Sequence, residues 1–155
     1  MLTIVAMVRV GPWTLEGIYR VPKSEPMEAC KRCRRSIREV WVFRVDEGYD
    51  LAKLDGQPVW RIGSECGPHL EEVNAEIWKQ QMKPVTARLA LVKRLEAVLK
   101  TADAKGYTLL PTFFAERLQP LREGTLDIHL MRHTGGCMAQ YERALGLKPP
   151  VRARR

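Results

Sequence analysis

What the chain lacks narrows it first. No apolar run comes near the roughly 20 residues that a membrane-spanning helix needs. The opening, MLTIVAMVRVGPW, has no basic region before its short apolar stretch and no A-x-A-like cleavage site, so a secretory signal is not expected. Its valines, isoleucine and threonine favour a strand instead. No glycine-rich phosphate loop, G-x-S-x-G or H-E-x-x-H occurs, and neither an internal repeat nor a low-complexity segment is present. Cysteine is confined to positions 30, 33, 66 and 137, and there are only 3 histidines. Without a secretory signal these cysteines are not expected to build a disulfide framework, and a reducing cytoplasm is the expected setting.

What is present describes a soluble globular chain. Its 155 residues suffice for one ordinary domain or two small ones sharing a core. A content of 45% hydrophobic and 28% charged residues argues against disorder. Lysine and arginine number 26 against 18 acidic residues, a net charge of +8 with a pI near 9.6. That balance points to an acidic partner, of which nucleic acid is the commonest.

Periodicity divides the chain into strands and then helices. Residues 3–10 and 14–21 read as a hairpin around Gly11-Pro12-Trp13. Residues 38–45 read as a strand with Trp41, Phe43 and Val45 on one face and Val40, Val42 and Arg44 on the other. Residues 58–64 can return beside it, setting Trp60 and Ile62 against Trp41 and Phe43. Those rings read as core beneath a hairpin rather than as a platform for bases. From Pro68 the pattern turns helical, with Leu70, Val73, Ile77 and Trp78 in step and Pro84 as the expected stop. A second helix is predicted over 85–105, its stripe Leu91, Val92, Leu95, Val98, Leu99 and Ala102, with Lys93 outside and Gly106 ending it. Shorter helices broken by prolines and glycines should follow. The expected fold is α+β: a β-rich region over 1–83, a helical bundle over 84–148 packed on it, and a basic tail at 149–155.

The chemistry concentrates in two short segments. Cys30 and Cys33 form C-x2-C, and Cys66 and His69 form C-x2-H. Two loops offering two ligands each suit tetrahedral Zn2+, which takes thiolate and imidazole. The first pair stands in a turn before a strand. The second is expected at a helix start, where backbone N–H groups favour a thiolate. With all four positions supplied by protein, the metal would be structural. A redox pair fits poorly, because C-K-R-C lacks the strand-before-helix setting. Four unrelated residues remain the plain alternative. His129, His133 and Cys137 make a rival trio at helical spacing, though Gly135-Gly136 should break the helix before Cys137.

Knuckle, β-hairpin and helix in that order resemble a treble-clef zinc finger. "CKRCRRSIREVWVF" followed by "WRIGSECGPHL" resembles small zinc-binding proteins of bacteriophages and mobile elements, which pair a C-x2-C strand opening with a G-S-x-C segment. The resemblance covers residues 28–82. It departs from that pattern in its histidine ligand and in the helical half. It implies a fold and a metal but no single function, because treble clefs serve nucleases, ribosomal proteins, transcription factors and interaction modules alike.

Around the first pair lie Lys31, Arg32, Arg34, Arg35 and Arg38, with no acidic residue among them. Such side chains suit phosphate, and Arg44 and Arg61 would extend the patch if they share its face. A solvated surface is the plain alternative. An enzyme is not expected: no histidine lies between the ligand pairs, and nothing in sequence orients Cys137 with His129 or His133 as nucleophile and base. The expected function is a zinc-stabilised nucleic-acid-binding protein, DNA or RNA, serving as a small subunit of a larger ribonucleoprotein or DNA-handling complex. The alternative is a protein-interaction module docking on a polymerase or a defence complex.

Overall fold

The computed structural model describes residues 3–107 and 110–147. The basic tail expected at 149–155 lies outside them. The fold is mixed α+β, an antiparallel sheet followed by helices. The chain divides into two compact units between Ala87 and Arg88. Among the described residues no helix is long and apolar enough to cross a membrane.

The first unit is built on four strands. Strand β1 (Ile4–Val10) pairs with β2 (Trp13–Arg20) across the Gly11-Pro12 turn. A two-residue ribbon follows, β3 (Glu28–Ala29) with β4 (Ser36–Ile37). Strand β5 (Glu39–Val45) lies between β2 and β6 (Val59–Ile62), giving the order β1-β2-β5-β6. Trp41 stands opposite Ile62 and Phe43 opposite Trp60, which puts all four on one face as alternation predicts. Trp13, Leu15, Ile18, Trp41, Phe43 and Ile62 are buried, while Trp60 is only half-buried. The loop after β5 contains a 3-10 turn, Leu51–Leu54, opened by Asp50 accepting from the Ala52 N–H and anchored by buried Leu54.

Two helix boundaries differ from expectation. The region from Pro68 does not start a helix: Ser64–His69 form a 3-10 turn, and α1 (Ala75–Ala104) begins only after Asn74, whose side chain accepts from the N–H groups of Glu76 and Ile77. Asn74 wins because an Asx cap satisfies two donors that no side chain near Pro68 serves. Nor does Pro84 end the helix; α1 runs through it. Pro84 leaves the Gln80 carbonyl without its helical partner, and both residues are exposed, where solvent can reach them. Met82 and Val85 on the buried side hold the helix across the break.

Trp78, on α1, packs on Trp41 and Phe43 with ring centroids 5.6 and 5.7 Å away. Its far edge covers Gly67, where an added Cβ would lie 2.0 Å from the ring. Only glycine allows that approach. The residue after Cys66 is thereby fixed against the start of α1.

In the second unit Leu91, Val92, Leu95, Val98 and Ala102 of α1 are buried, and Leu99 half-buried. Phe114 and Leu121 of α2 (Leu110–Glu123) and Met138 of α3 (Ile128–Ala144) are fully buried. Lys93 is half-buried rather than on the outer face. Gly106, at φ +75°, ends α1 as predicted: its N–H reaches the Asp103 carbonyl and that of Tyr107 the Ala102 carbonyl. Helix α3 does not break at Gly135-Gly136. Buried Thr134 and Met138 flank those glycines, and their packing outweighs a glycine cost of about 1 kcal/mol each.

Candidate metal centre and basic knuckle

The loop from Cys30 to Arg35 is a tight reversal between β3 and β4. The Cys30 N–H donates to the Arg35 carbonyl (2.8 Å), and the Arg34 N–H to the Cys30 carbonyl (2.9 Å). Arg34 takes the left-handed conformation, φ +64°, that closes the turn. Three contacts seat this knuckle. The Lys31 N–H donates to the Arg61 carbonyl on β6 (2.9 Å). The Tyr19 hydroxyl donates to the Glu28 carboxylate (2.7 Å). Arg38 donates to the carbonyls of Pro22 and Glu25 (2.8 and 3.2 Å), holding the preceding loop. Burial, and then the Glu28 carboxylate, push the Tyr19 hydroxyl up to about 12.

Cys66 arrives from the other side, on the 3-10 turn that follows β6 directly. The sulfurs of Cys30, Cys33 and Cys66 all lie within 4.8 Å of one another. Cys30 and Cys66 are buried and Cys33 is exposed; all four cysteines of the chain are free. Three thiols gathered in this way form a group able to hold a metal. Burial alone would raise the Cys30 thiol, but the N–H groups of Cys33, Gly63 and Arg32, with the Cys33 thiol, hold it down at about 7. The Gly63 N–H stands 3.5 Å from its sulfur. Cys66 has the opposite setting. Burial first, then the neighbouring Cys33 and Cys30 thiols, push it up to about 11. Two crowded thiols and one already favoured as thiolate suit a soft cation better than three protons.

The fourth expected ligand is not gathered with the others. His69 is exposed and its imidazole stands outside the thiol cluster; its backbone carbonyl accepts from Arg32 Nε at 3.2 Å. Cys66 and His69 occupy a 3-10 turn, not the first turn of α1. The rival trio does not gather either. His133 Nε2 lies 3.6 Å from Cys137 Sγ, but among the described residues His129 does not join them in a metal-sized cluster.

The basic residues separate by position. Arg32, Arg35 and Arg38 line a groove of about 630 Å3 that also contains Cys33, Cys66, Ser36 and Ser64. Lys31, Arg34 and Arg61 line a second groove of about 330 Å3. Arg44 lines neither; it is ion-paired with Glu16 on β2. Its strand position puts it on the same sheet face as Arg61, since Arg44 sits opposite Val59 and Val42 opposite Arg61, but its guanidinium turns to Glu16 instead of extending the patch. Lys31 is committed in part, 3.3 Å from Asp55 and 5.6 Å above the Trp60 ring. Sequence reasoning missed Ser36 and Ser64, whose signal was their place beside each ligand pair. It also missed that the cations divide between two grooves.

No family model, curated protein or solved structure matches the chain.

Proposed function

We propose that the chain is a zinc-stabilised nucleic-acid-binding protein of treble-clef type, non-enzymatic itself and acting within a larger nucleic-acid-handling assembly. The observation that carries this reading is the convergence of three thiols, two of which, Cys33 and Cys66, line one groove with Arg32, Arg35 and Arg38. The donor set fits zinc: thiolates are its preferred ligands, and backbone N–H groups already favour the Cys30 thiolate. His69 is assigned as the fourth ligand. Residues three apart eclipse on a 3-10 turn, so a side-chain rotation that brings the imidazole from outside the cluster to the Cys66 side would complete the set. When bound, the metal would hold the knuckle and the 3-10 turn together, contributing folding energy rather than chemistry.

Arginine and lysine side chains at the knuckle would then bind phosphate without reading bases. Two measurements test this. The purified protein should carry nucleobase absorbance that nuclease treatment removes, and it should bind random-sequence DNA or RNA with affinity falling steeply with salt. A nuclease-insensitive stoichiometric complex with another protein, and no salt-dependent binding, would replace the reading with protein docking. His69→Ala should weaken zinc binding; unchanged zinc affinity would remove His69 from the ligand set.

A further inference from the structure

The knuckle loop deals its cations alternately to its two sides. Lys31 and Arg34, with Arg61 from β6, line the smaller groove; Arg32 and Arg35, with Arg38 from the β4–β5 junction, line the larger. The loop between them is narrow, closed by two backbone hydrogen bonds over six residues, Cys30 to Arg35. It is a ridge with positive charge on both flanks.

Each flank keeps cations available. Among the described residues the side chains of Arg34, Arg35 and Arg61 make no hydrogen bond or ion pair. Arg32 is committed in part, donating from Nε to the His69 carbonyl and reaching the Cys66 thiol. Of the three carboxylates that line the grooves two are engaged elsewhere: Glu28 accepts from Tyr19, and Glu39 accepts from Trp41 Nε1 and pairs with Arg20. Asp55, beyond the lining, pairs with Lys31 on the smaller flank. Glu65 stays on the larger groove.

The aromatic side chains of this unit exclude one class of ligand. Proteins that hold single strands supply rings on which unpaired bases stack. Here Trp13, Trp41 and Phe43 are buried. Trp60 has Lys31 over its ring and Trp13 against it, and Trp78 is packed on Gly67, Trp41 and Phe43. No ring of the unit is fully exposed among the described residues. Duplexes ask for no stacking, and they present two rows of phosphate with a groove between.

Building on the nucleic-acid reading above, we infer that the knuckle enters a groove of double-stranded nucleic acid and reaches the phosphates of both strands. Lys31, Arg34 and Arg61 serve one row and Arg32, Arg35 and Arg38 the other. A single strand has one row and leaves one flank unused.

The test is an anisotropy titration of the full zinc-loaded chain against a random-sequence DNA duplex, an RNA duplex and their separated strands. At least one duplex should bind about ten-fold or more tightly than its own strands, since more phosphates are neutralised. Arg32→Gln/Arg35→Gln and Arg34→Gln/Arg61→Gln remove one flank each. On duplex DNA each should make the log–log salt slope shallower by about 1.8, at about 0.9 per phosphate. Zinc content and circular dichroism establish that the variants are folded. If a double variant fails that check, Arg34→Gln and Arg35→Gln alone should each lower the slope by about 0.9. Strands binding as tightly as duplexes, or one flank's folded variant leaving the duplex slope unchanged, overturns the inference. Absence of binding to all four probes sinks instead the nucleic-acid reading on which it rests.

Discussion

The two units hold themselves together by different means. The helical unit has a continuous apolar interior, with Val92, Leu95, Val98, Phe114, Leu121 and Met138 all essentially inaccessible. Within it buried Glu142 pairs with half-buried Arg94, hydrogen-bonded at 2.5 and 3.2 Å. The sheet unit also has a core, but its knuckle does not share in it. Between Met27 and Arg38 only Cys30 is buried, and the ribbon that carries the loop is two residues long on each side. A two-strand ribbon of that size is not stable alone. Hydrophobic burial therefore reaches through the helical unit. The knuckle rests on hydrogen bonds such as Lys31 N–H to the Arg61 carbonyl and Tyr19 to Glu28 and, on the zinc reading, on a metal at its thiols.

Metal removal should break this contrast most visibly. Under the zinc reading, a chelator or Cys30→Ser/Cys66→Ser should release the knuckle and the 3-10 turn while the helical unit stays folded. Structural zinc sites are worth on the order of 10 kcal/mol in apparent binding energy. Hydrogen exchange would show lost protection at residues 28–37 and 63–69 and unchanged protection in α2 and α3. Uniform loss across both units would mean that they do not differ as argued.

A core charge gives the next largest effect, now in the other unit. Leu95→Asp should cost about 3 kcal/mol or more by burying an unpaired carboxylate. Ala97→Asp, exposed on the same helix, should cost only about 0.5 kcal/mol, mostly helix propensity. Denaturant midpoints compare them, and equal shifts would place the apolar face wrongly.

Gly67→Ala probes the packing between the 3-10 turn and α1. A methyl there must displace Trp78, at a cost of about 2 kcal/mol. Changed tryptophan fluorescence should accompany the lower midpoint. An unshifted midpoint would show that the ring does not cover Gly67 in solution.

The smallest effect expected is a gain. Arg34 pays a left-handed backbone penalty that glycine does not, so Arg34→Gly should stabilise by about 0.5–1 kcal/mol. The same variant removes a cation from the smaller groove, so binding should weaken as stability rises. Lower stability would place the strain elsewhere.

Much of this was legible in the sequence, for reasons that can be named. Alternation in EVWVFRV and VWRI showed that Trp41, Phe43, Trp60 and Ile62 share a face, because a one-residue slip would turn them outward. The exact pairing of Trp41 with Ile62 and Phe43 with Trp60 comes from the structure. The 85–105 stripe and its Gly106 stop were equally readable, since helical period and left-handed cap are local signals. The C-x2-C spacing pointed to thiols that do converge with Cys66. What was not legible depended on competition between signals. Pro84 is a helix breaker by itself, yet buried Met82 and Val85 override it. Gly135-Gly136 likewise yield to Thr134 and Met138. The C-x2-H spacing does not reveal whether its turn is α or 3-10, and Asn74 decides that by capping later. Charge counting could not tell that Arg44 is paired with Glu16, a partner distant in sequence.

The central claim is that Cys30, Cys33 and Cys66 converge to hold a metal, with His69 completing the site. Elemental analysis of the purified chain beside its Cys30→Ser/Cys66→Ser variant tests it most directly. The account predicts one zinc per chain in the first and none in the second. No zinc in the unaltered protein, or zinc retained by the double variant, would contradict it.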